Sequence, residues 1–365
     1  MWAALFSSAR DRMNDNLQAY LSGQLKEYLS SGHLAGGGQA AVIRAGEIVA
    51  DVTVGVDHAD QARTPDSVAC LYCISKVPVA MALLALADDG QLSLDRPVGE
   101  VLPDANPFIA SCPIDLLMAH RGGVAIFQGP VSRFVPDPMR RVSHTWLSES
   151  PDSPRGSLRY AVSETAWVMA AIVERITGQH YAEATRSLLD SAFVPGAIRP
   201  QSGPLAITYR KLEPDDPPIP VLNEQVAAVR DQWNPALGWY ASAGSLAFFG
   251  HSLSEAWNGR CSISAELVKR ATAPFAEAEF DPGLKRDASH GLGVWTELNR
   301  FHSISQKLSA SSFGHGAQGG ASYLIVDPER ELSIGLSFDL SLDEDVNESK
   351  RRAPLVDGIL EILDA

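Results

Sequence analysis

The stretch LYCISKVPVA, residues 71–80, places a thiol and an amine three residues apart at the start of an apolar helix. Side chains at positions i and i+3 share a helix face, so Lys76 can approach the sulfur of Cys73. We expect this cation and the helix N-terminus to lower the thiol pKa from its ordinary value of about 8.5. The alternative is a core thiol beside a lysine that reaches out to solvent. A buried ammonium is costly without polar partners, which favours a chemical site.

Two further segments contain residues that can support a nucleophile. In FGHGAQGGASYLIVDPERELSIGLSFD, His315 and several glycines precede a strand, where a backbone N–H can stabilise a developing oxyanion. Tyr160 lies just before a helix and can shuttle protons if cations lower its pKa. Each has a plain structural alternative: a glycine-rich turn for the first, and a hydrophobic anchor at a helix start for the second.

Strand patterns at both ends of the chain enclose a helical middle. A hairpin is predicted over 40–44 and 48–55, and further strands in GLGVWTEL and SYLIVDPERELSIGLSF. The helix in CISKVPVAMALLALADDG is apolar nearly all round and therefore belongs at the centre of the fold. We predict an α+β fold in which an antiparallel sheet, built from N- and C-terminal segments, is flanked by helices and carries a large inserted helical lobe. The predicted bounds are one unit over 1–365, an α/β lobe at approximately 1–75 and 285–365, and a helical lobe at approximately 76–284.

The composition excludes several classes of partner. The chain has 365 residues and a formal net charge of -14, with no basic run that could bind a nucleic-acid backbone. It has no apolar run of the roughly 20 residues needed to span a bilayer, and its first residues lack the features of a signal peptide. We therefore predict a cytoplasmic protein with no nucleic-acid or membrane partner. Its four cysteines are predicted to be thiols, and no metal or other cofactor is predicted.

Taken in order, these motifs resemble the serine β-lactamase and penicillin-binding-protein superfamily, and within it the class C-like branch of esterases and transacylases. CISK (73–76) stands where that family has S-x-x-K, Tyr160 matches its tyrosine motif, and HGA (315–317) matches its K/H/W-[ST]-G motif. Segments such as PIDLLMAHRGG, YAVSETAWVMAAIVERITG and PALGWYASAGSLAFFG are also similar to the family's. The likeness spans about residues 36 to 345 and implies a β-lactamase-like fold.

The chain departs from the family's pattern at three places. Cys73 replaces the nucleophilic serine, the third motif lacks its hydroxyl and its final glycine, and Val162 replaces the asparagine of Y-x-N. Together with the missing export signal, these departures disfavour a periplasmic lactamase. Ser75 lies one residue before Lys76, about 100° around the helix, so its side chain diverges from the amine. Cys73 is therefore the predicted nucleophile.

The resemblance implies a role for each motif. Cys73, Lys76 and Tyr160 would be catalytic, and the backbone N–H groups of Cys73 and Gln318 would hold the oxyanion. The third motif comprises His315, Gly316, Ala317 and Gln318. The candidate pocket residues are Ser75, Trp239 and Tyr240. For Trp239 and Tyr240, packing in the core is the alternative. With sulfur as nucleophile the acyl-enzyme is a thioester, which favours amines over water. We predict covalent catalysis by a transacylase that moves an acyl group from a small ester or thioester to an amine or alcohol without ATP, in natural-product (antibiotic) biosynthesis.

Two other functions use the same residues differently. A carboxylesterase would pass the acyl group to water, and a retired homologue would bind a small ligand without turnover. Retention of Lys76 and Tyr160 speaks against the second, because a dead site needs no buried cation. The sequence leaves open the donor and acceptor, the oligomeric state, whether Cys73 replaces a natural serine, and whether the loop at 128–159 is a lid.

Overall fold

The structure is a computed structural model that describes residues 2–56, 61–123, 153–161, 163–197, 206, 208–210, 216–220 and 234–365. The candidate lid at 128–159 lies outside the described residues up to residue 152. The helices are Trp2–Ser30 (α1), Lys76–Asp88 (α2), Pro107–Ala110 (α3), Ile114–Met118 (α4), Glu164–Thr177 (α5), Tyr181–Ala192 (α6), Ala243–Trp257 (α7), Ala265–Thr272 (α8), Glu344–Asn347 (α9) and Ala353–Asp364 (α10). Among these described helices, none combines the length and the apolar character needed to cross a membrane.

The strands form one large sheet and three small ones. They are Gly37–Arg44 (β1), Glu47–Gly55 (β2), Ala69–Cys70 (β3), Tyr209–Arg210 (β4), Ile219–Pro220 (β5), Tyr240–Ala241 (β6), Glu279–Asp281 (β7), Arg286–Ala288 (β8), Trp295–Thr296 (β9), Phe313–Gly316 (β10), Ser322–Asp327 (β11), Leu332–Phe338 (β12) and Leu340–Ser341 (β13). The large sheet has the order β2-β1-β12-β11-β10-β9, and its neighbours are antiparallel. The predicted α+β fold class, with its antiparallel sheet assembled from both ends of the chain and flanked by helices, is confirmed.

Side chains along each strand point alternately to the two faces of the large sheet, and both faces are buried. On β1, Val42 contributes to a core with Leu21 of α1 and Ile359 of α10, while Ala41 packs with Ala247 of α7 on the other face. Helix α7 approaches the sheet so closely that a Cβ on Gly335 would lie 2.2 Å from a backbone oxygen. This middle helix, which falls within the predicted helical lobe, therefore covers the sheet.

Helix α2 is enclosed by the second core. Its residues from Lys76 to Leu86 are buried, and α5 and α6 pack against it. This fits its nearly uniform apolar sequence, because a helix without a polar face must be covered on all sides. Lys76 is the one charged residue in this buried stretch of α2. It lies at the N-terminal end of the helix, next to the turn that packs against β10 and β11.

A buried arginine joins the two ends of the chain to the turn after β10. Arg351 is fully buried, and its guanidinium donates hydrogen bonds to the backbone oxygens of His33, Leu340, Gly319 and Gly320 at 2.8 to 3.3 Å. Burial lowers the pKa of Arg351 to about 10, so the group remains a cation at neutral pH. The glycine turn and both termini are thereby held by one side chain.

Replacing Arg351 by methionine should lower the free energy of unfolding by about 3 kcal/mol, because it leaves several buried carbonyl oxygens without donors. Urea unfolding followed by tryptophan fluorescence measures this loss. Lys350→Met is the matched control, since Lys350 is exposed one residue away and should have little effect. Equal stability of the two variants would contradict the role given to Arg351.

Candidate active site

Cys73 lies in a short 3₁₀ turn, Tyr72–Ser75, that leads directly into α2. The turn packs against β10 and β11, and the preceding residue, Tyr72, has a φ of +45°, which is uncommon for a bulky side chain. Cys73 is 5% exposed and lines a cavity of about 230 Å³. The sulfur is therefore placed at the floor of a small cavity rather than inside the apolar core.

Lys76 lies beneath the cavity with its side chain fully enclosed. It is 1% exposed, is hydrogen-bonded to Cys73, and has its Nζ 4.9 Å from the ring centre of Tyr160. Burial lowers the pKa of Lys76, and the opposing effects of Cys73 and of the carboxylate of Glu164 do not restore it. A neutral amine, the form needed to accept a proton from the thiol, is thus easier to reach than for a lysine in water.

Tyr160 faces the same sulfur from the other side. Burial raises the pKa of Tyr160 well above its usual value, and the neighbouring Cys73 raises it further. A proton shuttle at Tyr160 with a pKa lowered by cations is the expectation from the sequence, and the structure gives the opposite direction. Tyr160 therefore keeps its phenolic hydrogen and can act only as a neutral donor or relay.

The backbone around Tyr160 is fixed by two buried groups. Asp281, at the end of β7, accepts a hydrogen bond from Tyr160 N at 3.1 Å and another from Gly283 N at 2.7 Å. His120 Nδ1 accepts one from Ala161 N at 3.1 Å. Asp281 thereby joins the β7–β8 hairpin to the tyrosine across more than a hundred residues of sequence.

Two residues of the third motif, Gly316 and Ala317, line the cavity together with Cys73 and Tyr160, and His315 lies buried next to Tyr160. His315 Nδ1 lies 2.8 Å from the Gly316 oxygen and must carry the hydrogen, because a carbonyl oxygen only accepts. Burial lowers the pKa of His315 well below its usual value, so the ring is neutral. Its Nε2 is then an acceptor, and it lies 3.5 Å from the Tyr160 hydroxyl.

Glycine at position 316 is required by packing. A Cβ there would lie 2.7 Å from the ring of Trp295 and 2.8 Å from the ring of Tyr323, so the space of the family's hydroxyl side chain is filled by aromatic rings. Ala317 is extended, with φ −86° and ψ 156°, and its N–H is bonded to Ser322 on the adjacent strand. Since N–H directions alternate in extended backbone, the N–H of Gln318 points away from that strand.

Four buried histidines line the region behind Tyr160 and the third motif: His120, His290, His302 and His315. Trp295 stacks on two of them, His302 at 4.4 Å and His315 at 4.8 Å between ring centres. Burial lowers the pKa of all four, to about 3 for His290. In the described part of the chain, no group of three or more His, Cys, Asp or Glu side chains is arranged to hold a metal ion.

The three candidate pocket residues lie behind the nucleophile rather than on the cavity. Trp239 is buried in the core around α2, and its backbone N–H donates to Ser75 Oγ at 3.2 Å. Tyr240 pairs with Cys70 in the β3–β6 sheet. The structure thus brings Cys73, Lys76, Tyr160 and the third motif together, and leaves Ser75, Trp239 and Tyr240 in supporting positions.

Sequence reasoning overlooked several charged residues at this site. Glu164 is 3% exposed at the start of α5 and close enough to raise the pKa of both Lys76 and Tyr160. Arg286, Glu344 and Arg352 line the cavity, although they lie far from the three motifs in sequence. Only the acidic first turn of α5 was visible in the sequence, and acidic residues are common at helix starts without any such role.

Comparison with known proteins gives consistent matches. A family model described as Beta-lactamase matches residues 21–356. Esterase EstB of Burkholderia gladioli is 29% identical to this chain over 177 residues. The match covers 42% of this chain and 44% of the esterase, so it spans less than half of either protein. A family VIII carboxylesterase has a TM-score of 0.74 at 16% identity, covering 95% of this chain and 97% of its own. EstCE1, described as a hydrolase with promiscuous acyltransferase activity, has a TM-score of 0.72 at 16% identity over 96% and 99%. At these identities, the structural matches establish the fold alone.

Replacing Glu164 by glutamine should shift the reactivity of Cys73 to lower pH. The carboxylate raises the pKa of Lys76, so its removal lowers that pKa and makes the neutral amine available at lower pH. We expect the midpoint of the pH profile of Cys73 alkylation by iodoacetamide to fall by about one unit. Glu183→Gln, an exposed control on α6, should leave the profile unchanged. A midpoint that stays in place or rises in Glu164→Gln would show that Glu164 does not act on Lys76.

Proposed function

The chain belongs to the beta-lactamase family, and from that premise we propose that it is an acyl-transfer enzyme that uses Cys73 as its nucleophile. Its acyl donor would be a small ester or thioester, and its acceptor an amine or alcohol. The observation that carries the proposal is that the Cys73 side chain opens on a cavity while it interacts with both Lys76 and Tyr160. A thiol of the core would have neither partner nor cavity.

In the first half-reaction, the sulfur of Cys73 attacks the ester carbonyl and its proton passes to the Lys76 amine. The carboxylate of Glu164 lies close enough to stabilise the ammonium that forms. The developing oxyanion is held by the backbone N–H groups of Cys73 and Gln318. The N–H of Cys73 is available because the N–H groups at the start of a helix have no hydrogen-bond partner within that helix. Tyr160 protonates the departing alkoxide and is reprotonated from the Lys76 ammonium.

In the second half-reaction, the acceptor amine attacks the thioester and Cys73 leaves. Tyr160 donates its hydrogen to the departing sulfur along their hydrogen bond and takes a proton from the acceptor nitrogen. The relay returns Tyr160 to its neutral form, in keeping with its raised pKa. The products are an amide and the free thiol, and neither metal nor ATP takes part in a step.

The relatives support this chemistry at a coarser level. EstB and the family VIII carboxylesterase are named as ester-cleaving enzymes, and EstCE1 is described as a hydrolase with acyltransferase activity. A thioester intermediate favours the transfer outcome, because amines attack thioesters readily while water does so slowly. Ester hydrolysis at the same site is the second candidate, favoured by the match to EstB. A role in natural-product biosynthesis and a cytoplasmic location stay predictions.

Incubation with an activated ester should add the mass of one acyl group at Cys73, because the adduct is a thioester shielded at the floor of the cavity. Intact-protein mass spectrometry with peptide mapping measures the adduct, and adding an amine should remove it with formation of the amide. Cys73→Ala should acquire no adduct, whereas Cys112→Ala, which removes a buried thiol elsewhere, should label normally. An adduct that maps to another residue, or none with a panel of esters, would refute the proposal.

Replacing Cys73 by serine should change the partition between acceptors. The acyl-enzyme becomes an oxygen ester, which loses the preference of thioesters for amines, so the ratio of amide to acid should fall by about tenfold, or 1.4 kcal/mol. Chromatography of the products at fixed amine concentration gives the ratio for both proteins. If the unaltered protein forms acid alone at every amine concentration, the enzyme is a carboxylesterase.

A further inference from the structure

The cavity wall beyond Cys73 is charged. Arg286 of β8, Glu344 at the start of α9 and Arg352 before α10 all line it, together with Tyr323. Both guanidinium groups bind the same carboxylate oxygen: Arg286 Nη1 lies 2.6 Å, and Arg352 Nη1 2.8 Å, from Glu344 Oε1. Two cations therefore share one anion at the edge of the cavity.

The shared carboxylate remains ionised. Burial raises the pKa of Glu344, but the guanidinium groups of Arg352 and Arg286 together outweigh that effect and bring the pKa below its usual value. Arg352 also has the Glu348 carboxylate 3.9 Å from its Nη2, so the cluster holds two guanidinium groups and two carboxylates. Within the cluster, Arg286 has the shared Glu344 carboxylate as its ion-pair partner among the described residues, whereas Arg352 has two carboxylates.

Arg286 has donors to spare. Among the described residues, Glu344 is its hydrogen-bond partner, and its guanidinium lies 5.5 Å from the ring centre of Trp295. A guanidinium carries five N–H donors, and its planar fork matches a carboxylate. The side chain is 22% exposed, so part of it is open to a ligand in the cavity. Arg352 is committed more fully, since it also binds Tyr323 and the Ser303 oxygen and forms an ion pair with Glu348.

The cavity sets the size of what can bind. Its volume of about 230 Å³ is smaller than the roughly 300–1,000 Å³ of typical ligand pockets. Cys73 and Arg286 both border this one small space, so a compact molecule can reach the sulfur with its carbonyl and the guanidinium with another group. A partly buried guanidinium with spare donors favours an anionic group there over a neutral one.

We propose that the substrate of this site carries a carboxylate that binds Arg286 while its reacting carbonyl lies at Cys73. The inference rests on the proposed acyl-transfer function and adds the chemical class of the substrate. The carboxylate belongs either to the acyl donor, as in a monoester of a short dicarboxylic acid, or to the acceptor, as in an amino acid. In both cases Glu344 limits the positive charge and leaves Arg286 as the direct contact.

Two kinetic arms identify the source of the carboxylate. The donor arm compares the rates at which mono-4-nitrophenyl glutarate and 4-nitrophenyl valerate acylate Cys73. Each rate is divided by the rate of the same ester with free cysteine, which corrects for the intrinsic reactivity of the ester. The acceptor arm compares glycine with ethylamine on the neutral acyl-enzyme. We expect at least a tenfold preference for the acidic compound in one arm, reduced several-fold by Arg286→Gln. Arg300→Gln, the exposed control, should keep the full preference.

Two further measurements keep the test independent of folding and of turnover. Glu344→Gln removes the shared anion and should increase the preference for the acidic compound, the opposite sign to Arg286→Gln. In Cys73→Ala, which cannot react, glutarate should raise the melting temperature more than glutaramide, and Arg286→Gln should abolish that difference.

Equal rates in both arms, or a preference that survives Arg286→Gln, overturns the carboxylate proposal. Failure of every ester to label Cys73, with the glutarate effect intact, overturns the acyl-transfer function alone.

Discussion

A lysine that is buried at the head of an apolar helix sets the main constraint on this structure. Lys76 is 1% exposed, and a charged amine in such a place is stable only beside polar partners. Cys73, Tyr160 and Glu164 supply those interactions, and each comes from a different element or from a different part of the chain. The partners that make the amine tolerable are the same groups that a nucleophile needs. On the proposed mechanism, the stability of the buried amine and the reactivity of the thiol therefore depend on one set of contacts.

These contacts require that distant segments meet with little freedom. Asp281 ties the β7–β8 hairpin to Tyr160, and the Arg351 guanidinium ties the glycine turn after β10 to both ends of the chain. The antiparallel pairing of β10 with β11 then holds His315 and Gly316 opposite Tyr160. Preorganisation of this kind matters because a hydrogen-bonded relay works only over short and defined distances.

Local patterns were sufficient to predict the fold class and the Cys73–Lys76 pair. Strand alternation, the apolar α2 and the i, i+3 spacing all concern neighbours in sequence, and the family resemblance added Tyr160 and the third motif. The remaining features depend on contacts between residues far apart. No sequence pattern indicates that Asp281 holds Tyr160 or that Glu344 is shared by two arginines. Trp239 is a further example, since its backbone hydrogen bond to Ser75 and its packing around α2 turn it away from the cavity.

The altered third motif and the charged cavity wall are linked through Trp295. Its ring occupies the position where the family has a hydroxyl side chain, which explains why residue 316 is glycine. The same ring stacks on His315 and lies beneath the guanidinium of Arg286. A strand hydroxyl can bind a polar substrate group from one wall, and here an aromatic ring has taken its place. Polar contact with a ligand can then come from the adjacent charged side chains of Arg286, Glu344 and Arg352, which also line the cavity. On the proposal that Arg286 binds a substrate carboxylate, the loss of the hydroxyl is a change in what the site recognises, because the ring that fills the gap also supports the guanidinium that replaces it.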